Sequence, residues 1–323
     1  MNLQALVKLF GIGLTAFGIG ISRSANYNRE AQTSGVYRIA QEQADYAANV
    51  QTRLTEAFLY LESNGLPTHN TGQFPNRHNP HAIVPQVYAF RIARQPSFRG
   101  EALYSKSHLF GVALNGVVFD PGTAEFWNGD RNWRYEALSG RINLGLDSSH
   151  AHVQPNGAYH YHGSPDNLVA QIGDASQPLL VGYAADGFPI YNAVHPDTLA
   201  PLKSSYRMRS GQRSGGPGGE FDGTFVQDYE YAAGLGDLDE CNGRWGKTTE
   251  FPGGTYYYAV TKAYPFVPRC FMGTPDDSFA VKRFGPSRRR KSGAPLLDKD
   301  SPAGWRPPPR RRRGRPPRPP IRF

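Results

Sequence analysis

The stretch "HAHVQPNGAYHYHG", residues 150–163, holds four of the nine histidines of this 323-residue chain. Pro155, Asn156 and Gly157 in its middle suit a three-residue hairpin loop, with the glycine in the left-handed region. A loop of this length fixes the register of the two strands beside it, and side chains alternate between the two faces of a strand. The stretch therefore predicts a β-hairpin that carries all four histidines on one face.

The two faces of this hairpin differ in chemistry. The face opposite the histidines carries alanine, valine and two tyrosines, which are residues that pack against a core. Neutral imidazole is a good ligand for zinc, copper and related ions, and opposed strand residues lie close enough to share one ion. We therefore expect a transition-metal site, with copper or zinc as the ion. The candidate ligands are His150, His152, His160 and His162.

Two questions about this face are left open by the sequence. Four rings that hydrogen-bond to one another would form a polar face without any metal, and the spacing does not tell a closed structural site from an open catalytic one. Asp147, Ser148 and Gln154 lie near enough along the chain to orient a ligand ring. His78 or His81 could join the group from the preceding loop. No catalytic residue is assigned.

The rest of the chain from residue 84 to about 280 reads as β-structure. Short apolar runs alternate with turn signals, among them Asn115-Gly116 and Asp186-Gly187. We expect a mainly β domain, built as an antiparallel sheet or sandwich, over residues 63–280. Cys241 and Cys270 are the only cysteines, and a disulfide between them would stabilise the fold by about 3–4 kcal/mol.

Residues 42–62 have a different pattern. Their apolar residues recur at helical spacing with polar residues between them, which predicts one amphipathic helix in a lead-in segment over residues 26–62. The residues that carry this spacing are Ala47, Val50, Leu54, Ala57, Phe58 and Leu61.

The first 25 residues have the order of a secretory signal peptide: Lys8, an apolar run from Leu9 to Ile21, and then small residues. The run is too short for an ordinary membrane span, which needs about 20 residues. We expect secretion, or export to the periplasm or cell envelope, without stable membrane insertion. An uncleaved anchor at the membrane surface is the alternative.

The net charge of +9 comes from one end of the chain. Residues 282–323 hold 15 Lys and Arg against 2 acidic residues, whereas the remainder holds 21 basic and 25 acidic residues. The mildly acidic body argues against nucleic-acid binding by the domain. The Pro/Arg-rich tail, residues 281–323, is expected to be disordered and could contact anionic surfaces.

Several segments in order give the chain a resemblance to a known family. They include "GVALNGVVFDPGTAEFW", "LVGYAADGFPIY" and "GDLDECNGRWG", together with the tetrad of residues 159–162. On these segments the chain resembles the YHYH family over residues 63–273. The resemblance implies export and a single domain, and it implies no particular activity.

The sequence thus favours an exported protein that binds a transition metal through the four-histidine hairpin. Whether it is an enzyme, and on what substrate, is left open. The alternatives are a secreted module that binds a glycan or other surface ligand, and an envelope or matrix component whose histidine face is structural. An open coordination position beside a pocket, a flat aromatic groove, or a fully hydrogen-bonded histidine face would distinguish the three.

Overall fold

A computed structural model describes residues 47–281 of the chain. The predicted signal peptide and nearly all of the basic tail lie outside the described residues. Within residues 47–281 the strands are β1 Val50–Leu54, β2 Phe58–Ser63, β3 Tyr88–Ala93, β4 Gly111–Ala113, β5 Val118–Phe119, β6 Ala151–Val153, β7 Tyr159–Tyr161, β8 Leu180–Ala184, β9 Pro189–Asn192, β10 Tyr206–Met208, β11 Tyr229–Tyr231, β12 Gly243–Gly246 and β13 Thr255–Val260. One α-helix, α1, spans Asp166–Ile172, and single 3₁₀ turns lie at Trp127–Gly129, Val226–Asp228 and Asp277–Phe279.

The strands form sheets, as the mainly β prediction required. The largest has eight strands in the order β12-β13-β9-β8-β4-β5-β7-β6, and a second has the order β1-β2-β3. Most pairs are antiparallel, but β13 with β9 and β5 with β7 are parallel. The expectation of a purely antiparallel sheet was therefore wrong for these two pairs. A parallel pair needs a long connection, and such a connection leaves no turn signal in the sequence.

The predicted amphipathic helix over residues 42–62 is wrong. Residues 50–63 form the antiparallel hairpin of β1 and β2, whose turn is closed by Thr55 bonding to Phe58. Leu59 and Leu61 are buried at the alternate spacing of a strand, and β2 also pairs with β3 some thirty residues later. The pairing of β2 with β3 makes this segment a strand, because an apolar pattern this short fits the period of a helix and the period of a strand alike. Residues 42–46 lie outside the described residues.

Both larger sheets contribute to one hydrophobic core. Leu59 and Phe90 enter it from the three-stranded sheet, and Val118, Tyr159 and Tyr161 enter it from the eight-stranded sheet. Phe90 stacks on Phe279 with ring centroids 4.3 Å apart, in the range of a favourable aromatic pair. Because Tyr159 and Tyr161 lie in this core, the hairpin β6–β7 is held in place on its tyrosine side.

The predicted turns and disulfide are confirmed. The chain reverses at Gly116 with φ 79° between β4 and β5, and at Gly187 with φ 91° between β8 and β9. Cys241 and Cys270 are bonded, with their Cα atoms 5.1 Å apart. Among residues 47–281, no helix has the length and apolar character that a membrane crossing requires.

Candidate metal centre

The hairpin of β6 and β7 has the register that its loop predicts. His152 pairs with His160, Ala151 with Tyr161 and Val153 with Tyr159. The loop is closed by the Gln154 amide, which donates to the Ala158 carbonyl at 2.9 Å, and Gly157 turns the chain with φ 86°. The alternation of a strand then puts His152, His160 and His162 on one face.

These three imidazoles meet at their Nε2 atoms. The Nε2 of His162 lies 2.9 Å from that of His160 and 3.0 Å from that of His152. His160 and His162 are each 1% exposed and His152 is 9% exposed, so water has little access to any of them. One nitrogen from each ring falls within 4.8 Å of the others, which is the arrangement of a site that could hold a metal ion.

The Nδ1 side of two rings is fixed by the backbone. Nδ1 of His152 lies 2.9 Å from the Leu144 carbonyl, and Nδ1 of His160 lies 3.2 Å from the Ala158 carbonyl. A carbonyl can only accept a hydrogen bond, so in both rings Nδ1 must carry the proton. Each Nε2 is then left with a lone pair that points into the group, as metal-binding histidines are usually arranged.

Burial keeps the three rings uncharged. It lowers the pKa of His160 to about 3, with the charge of His152 as a further cause. Burial also holds the pKa of His162 well below its usual range, aided by the charges of the other two rings and of Arg269. The pKa of His152 is lowered by burial as well. Neutral imidazole is the form that binds metal ions.

Protein atoms do not complete this face. If His162 carries its proton on Nε2, that single hydrogen must serve two facing lone pairs, and Nδ1 of His162 becomes a buried acceptor. Among the described residues, Nδ1 of His162 has no hydrogen-bond partner in either case. A cation among the three Nε2 atoms would remove the repulsion of their lone pairs, so the residues present fit a metal ion.

The structure does not bring His150 into this group. The Asp147 side chain caps the turn before β6 by accepting from the amides of Ser149 and Ala151. His150 consequently has the left-handed φ of 54°, which turns its ring away from the histidine face. Its Nδ1 instead donates to the Ser164 carbonyl at 2.9 Å.

The other residues considered from the sequence lie elsewhere. Gln154 donates to Asp120 at 3.1 Å rather than to a ring, and Ser148 accepts from Asn167. His78 is exposed and His81 is half-buried outside the group. The groups that hold the rings of His152 and His160 are backbone carbonyls. Backbone carbonyls leave no signal in the sequence.

The tyrosine face is completed by residues that the sequence did not connect to it. The Asn115 side chain donates to the Tyr161 hydroxyl at 2.9 Å, and this hydroxyl lies 2.6 Å from Nε2 of His69. Nδ1 of His69 donates to the Asn70 carbonyl, so Tyr161 donates to His69. The Tyr159 hydroxyl donates to Asp147 at 2.6 Å. Every hydroxyl on this face thus has a partner.

Comparisons with known proteins place the hairpin inside a recognised family. The family described as "YHYH protein" matches residues 89–273, which is more than half of the chain. No curated protein matches the chain, and no solved structure does.

Proposed function

The chain belongs to the YHYH protein family, and we propose that it is an exported protein that binds a transition-metal ion, zinc or copper, through His152, His160 and His162. One observation carries the metal proposal. Nε2 of His162 lies 2.9 Å and 3.0 Å from the Nε2 atoms of His160 and His152, and these two rings donate through Nδ1 to carbonyls. Three buried nitrogens that meet in this way share at most one proton, so a cation among them would stabilise the face.

The same geometry bears on what the ion does. All three rings are buried, and they belong to the two strands of one hairpin. An ion held there would join β6 to β7 and would be shielded from solvent, although three protein ligands leave a fourth position of a tetrahedral ion to another ligand. A bound transition metal would supply a positive charge that holds the three rings together. We therefore propose a metal that stabilises the hairpin, with any activity of the protein located elsewhere.

Metal analysis of the full chain tests this proposal. We expect near-stoichiometric zinc or copper by elemental mass spectrometry, and loss of the metal in the double variant His160→Ala, His162→Ala. His150→Ala and His78→Ala are matched controls, because each removes a histidine outside the group, and both should keep the metal. Metal-free protein that still folds, or metal that persists in the double variant, would overturn the proposal. Loss of metal in His150→Ala would mean that His150 is a fourth ligand, as the sequence predicts.

Export is proposed on two further grounds. The Cys241–Cys270 disulfide is typical of oxidising compartments, and residues 1–25 have the order of a signal peptide. Fractionation of cells that express the full chain should recover the protein outside the cytoplasm, shortened at its N-terminus. Leu14→Arg interrupts the apolar run and should keep the protein inside. Wild-type protein found in the cytoplasm with free thiols would contradict export.

A further inference from the structure

A cleft of about 440 Å³ opens beside the hairpin, on the side to which His150 turns. This volume lies within the range of about 300–1,000 Å³ that is usual for small-molecule sites. The triad of buried histidines does not line it. Its walls are Leu138, His150, Ser164, Asp166, Thr261, Lys262 and Phe266.

Two residues of this cleft have a left-handed backbone. His150 has φ 54° and Phe266 has φ 61°. Histidine is one of the residue types enriched at such angles, whereas the bulky phenylalanine adopts them at a cost that asparagine or glycine would avoid. Strain of this kind persists where the surrounding structure holds it, and it concentrates at binding and catalytic sites. The strained Phe266 faces this cleft, which marks the cleft as a candidate site.

The polar groups of the cleft have unused hydrogen-bonding capacity. Nδ1 of His150 donates to the Ser164 carbonyl, so Nε2 is left as an acceptor. The Asp166 side chain is 48% exposed, and its carboxylate lies 4.0 Å from Nδ1 of His150. The Lys262 ammonium is exposed and makes no hydrogen bond or ion pair with another described residue. Two acceptors and one strong donor therefore line the same space.

Two further walls of the cleft are apolar. Phe266 and Leu138 are half-buried, so each presents part of its side chain to the cleft. An aromatic ring beside acceptors and donors suits a ligand with an apolar face and hydroxyls around its rim, because hydroxyls both donate and accept. The Asp166 carboxylate disfavours an anion in the same space. We propose that this cleft binds a sugar unit, with Phe266 against its C–H face and His150, Asp166 and Lys262 on its hydroxyls.

The proposal is independent of the metal, and its test uses the full chain. Saturation-transfer NMR with glucose, N-acetylglucosamine and cellobiose should show saturable binding of at least one of them. Lys262→Ala and Phe266→Ala should each weaken that binding roughly tenfold or more. The first removes a hydrogen-bond donor to the sugar hydroxyls, and the second removes the ring that packs against the C–H face of the sugar. Lys247→Ala and Asp197→Asn are matched controls at exposed positions outside the cleft, and they should bind as the wild type does. Far-UV circular dichroism checks that each variant is folded.

Three results would overturn the proposal. The first is no saturable binding of any of the three sugars by the wild-type chain. The second is sugar binding that persists unchanged in folded Lys262→Ala, which is an exposed residue whose loss should not disturb the fold. The third is binding of benzoate or inorganic phosphate in place of sugar, which would identify an anion site built on Lys262.

Discussion

The two faces of the hairpin β6–β7, together with His162 directly after β7, are completed in opposite ways. On one face, the hydroxyls of Tyr159 and Tyr161 meet Asp147, Asn115 and His69 in hydrogen bonds of defined direction. On the other face, three Nε2 atoms meet one another and Nδ1 of His162 has no partner among the described residues. The difference teaches that burial alone does not complete a face, because protein atoms satisfy the polar groups of one face and leave on the other a group of nitrogens that could hold a metal ion.

The largest expected effect tests the tyrosine face. Tyr161→Ala removes a fully buried ring and leaves Nε2 of His69 and Nδ2 of Asn115 without their partner, so the free energy of unfolding should fall by about 3–5 kcal/mol. Urea denaturation measures it. The loss should be the same with and without a chelator, because this face is complete without metal. A loss of stability that depends on the chelator would mean that the tyrosine face is not complete without metal.

Removal of metal tests the histidine face. A chelator should lower the free energy of unfolding of the wild-type protein by about 3–4 kcal/mol if the ion is present at 100 to 1,000 times its dissociation constant. The double variant His160→Ala, His162→Ala should not respond to the chelator. Thermal unfolding followed by calorimetry measures both. An equal response in the two proteins would mean that the ion is bound elsewhere.

Asp186 extends the comparison to a buried carboxylate that protein donors surround. It accepts from the Tyr258 hydroxyl at 2.5 Å and from the Gly273 amide at 2.9 Å, yet burial raises its pKa to about 6. The folded state therefore holds this proton up to a higher pH than the unfolded chain does. The contribution of Asp186 to stability should be fully present below about pH 4 and should be lost, about 3 kcal/mol in all, as pH rises from 4 through 6. The three buried histidines, whose pKa values are lowered, act in the opposite direction, so the decline is measured as the stability of the wild type relative to Asp186→Asn.

Urea unfolding at a series of pH values checks this dependence. Asp186→Asn cannot titrate, so its stability should lack this decline even if its absolute stability is lower. A variant that keeps the same slope would assign the decline to another group. In that case the hydrogen-bond donors around Asp186 would stabilise its ionised carboxylate as fully as the hydroxyls of the tyrosine face are stabilised by their partners.

The smallest effect sharpens the comparison to a single hydrogen bond. Tyr159→Phe keeps the ring and removes only the hydroxyl that donates to Asp147, so the free energy of unfolding should fall by about 2 kcal/mol. Tyr135→Phe is the matched control, since its hydroxyl makes no hydrogen bond to another described residue, and it should change stability little. Equal effects in the two variants would show that the bond to Asp147 contributes nothing particular.

The hairpin itself was predictable because its information is local. A loop of three residues with Gly157 in the left-handed region fixes the pairing of His152 with His160, and alternation then assigns each neighbour to a face. The same locality explains the success at Asn115-Gly116 and Asp186-Gly187. The Cys241–Cys270 disulfide was predictable for a different reason, since the chain has no third cysteine.

What the sequence missed depends on partners far along the chain or on backbone angles and carbonyls that residue types do not specify. Residues 50–63 have an apolar spacing that fits a helix and a strand alike, and pairing of β2 with β3 selects the strand. The position of His150 depends on one backbone angle at the start of β6, which the Asp147 cap sets. The carbonyls that orient His152 and His160 belong to the backbone, so residue types say nothing about them.

The sequence by itself indicated a β-rich chain of this family, one hairpin that carries four histidines, and a register that puts histidines and tyrosines on opposite faces. Tertiary structure decided which imidazoles actually meet, which nitrogens they present, and that His150 joins a cleft with Phe266 instead. The physical reason is the distance along the chain over which each interaction acts. Turn chemistry and strand alternation act over a few residues, whereas burial, ring orientation and the direction of a lone pair depend on atoms that folding brings from distant parts of the chain.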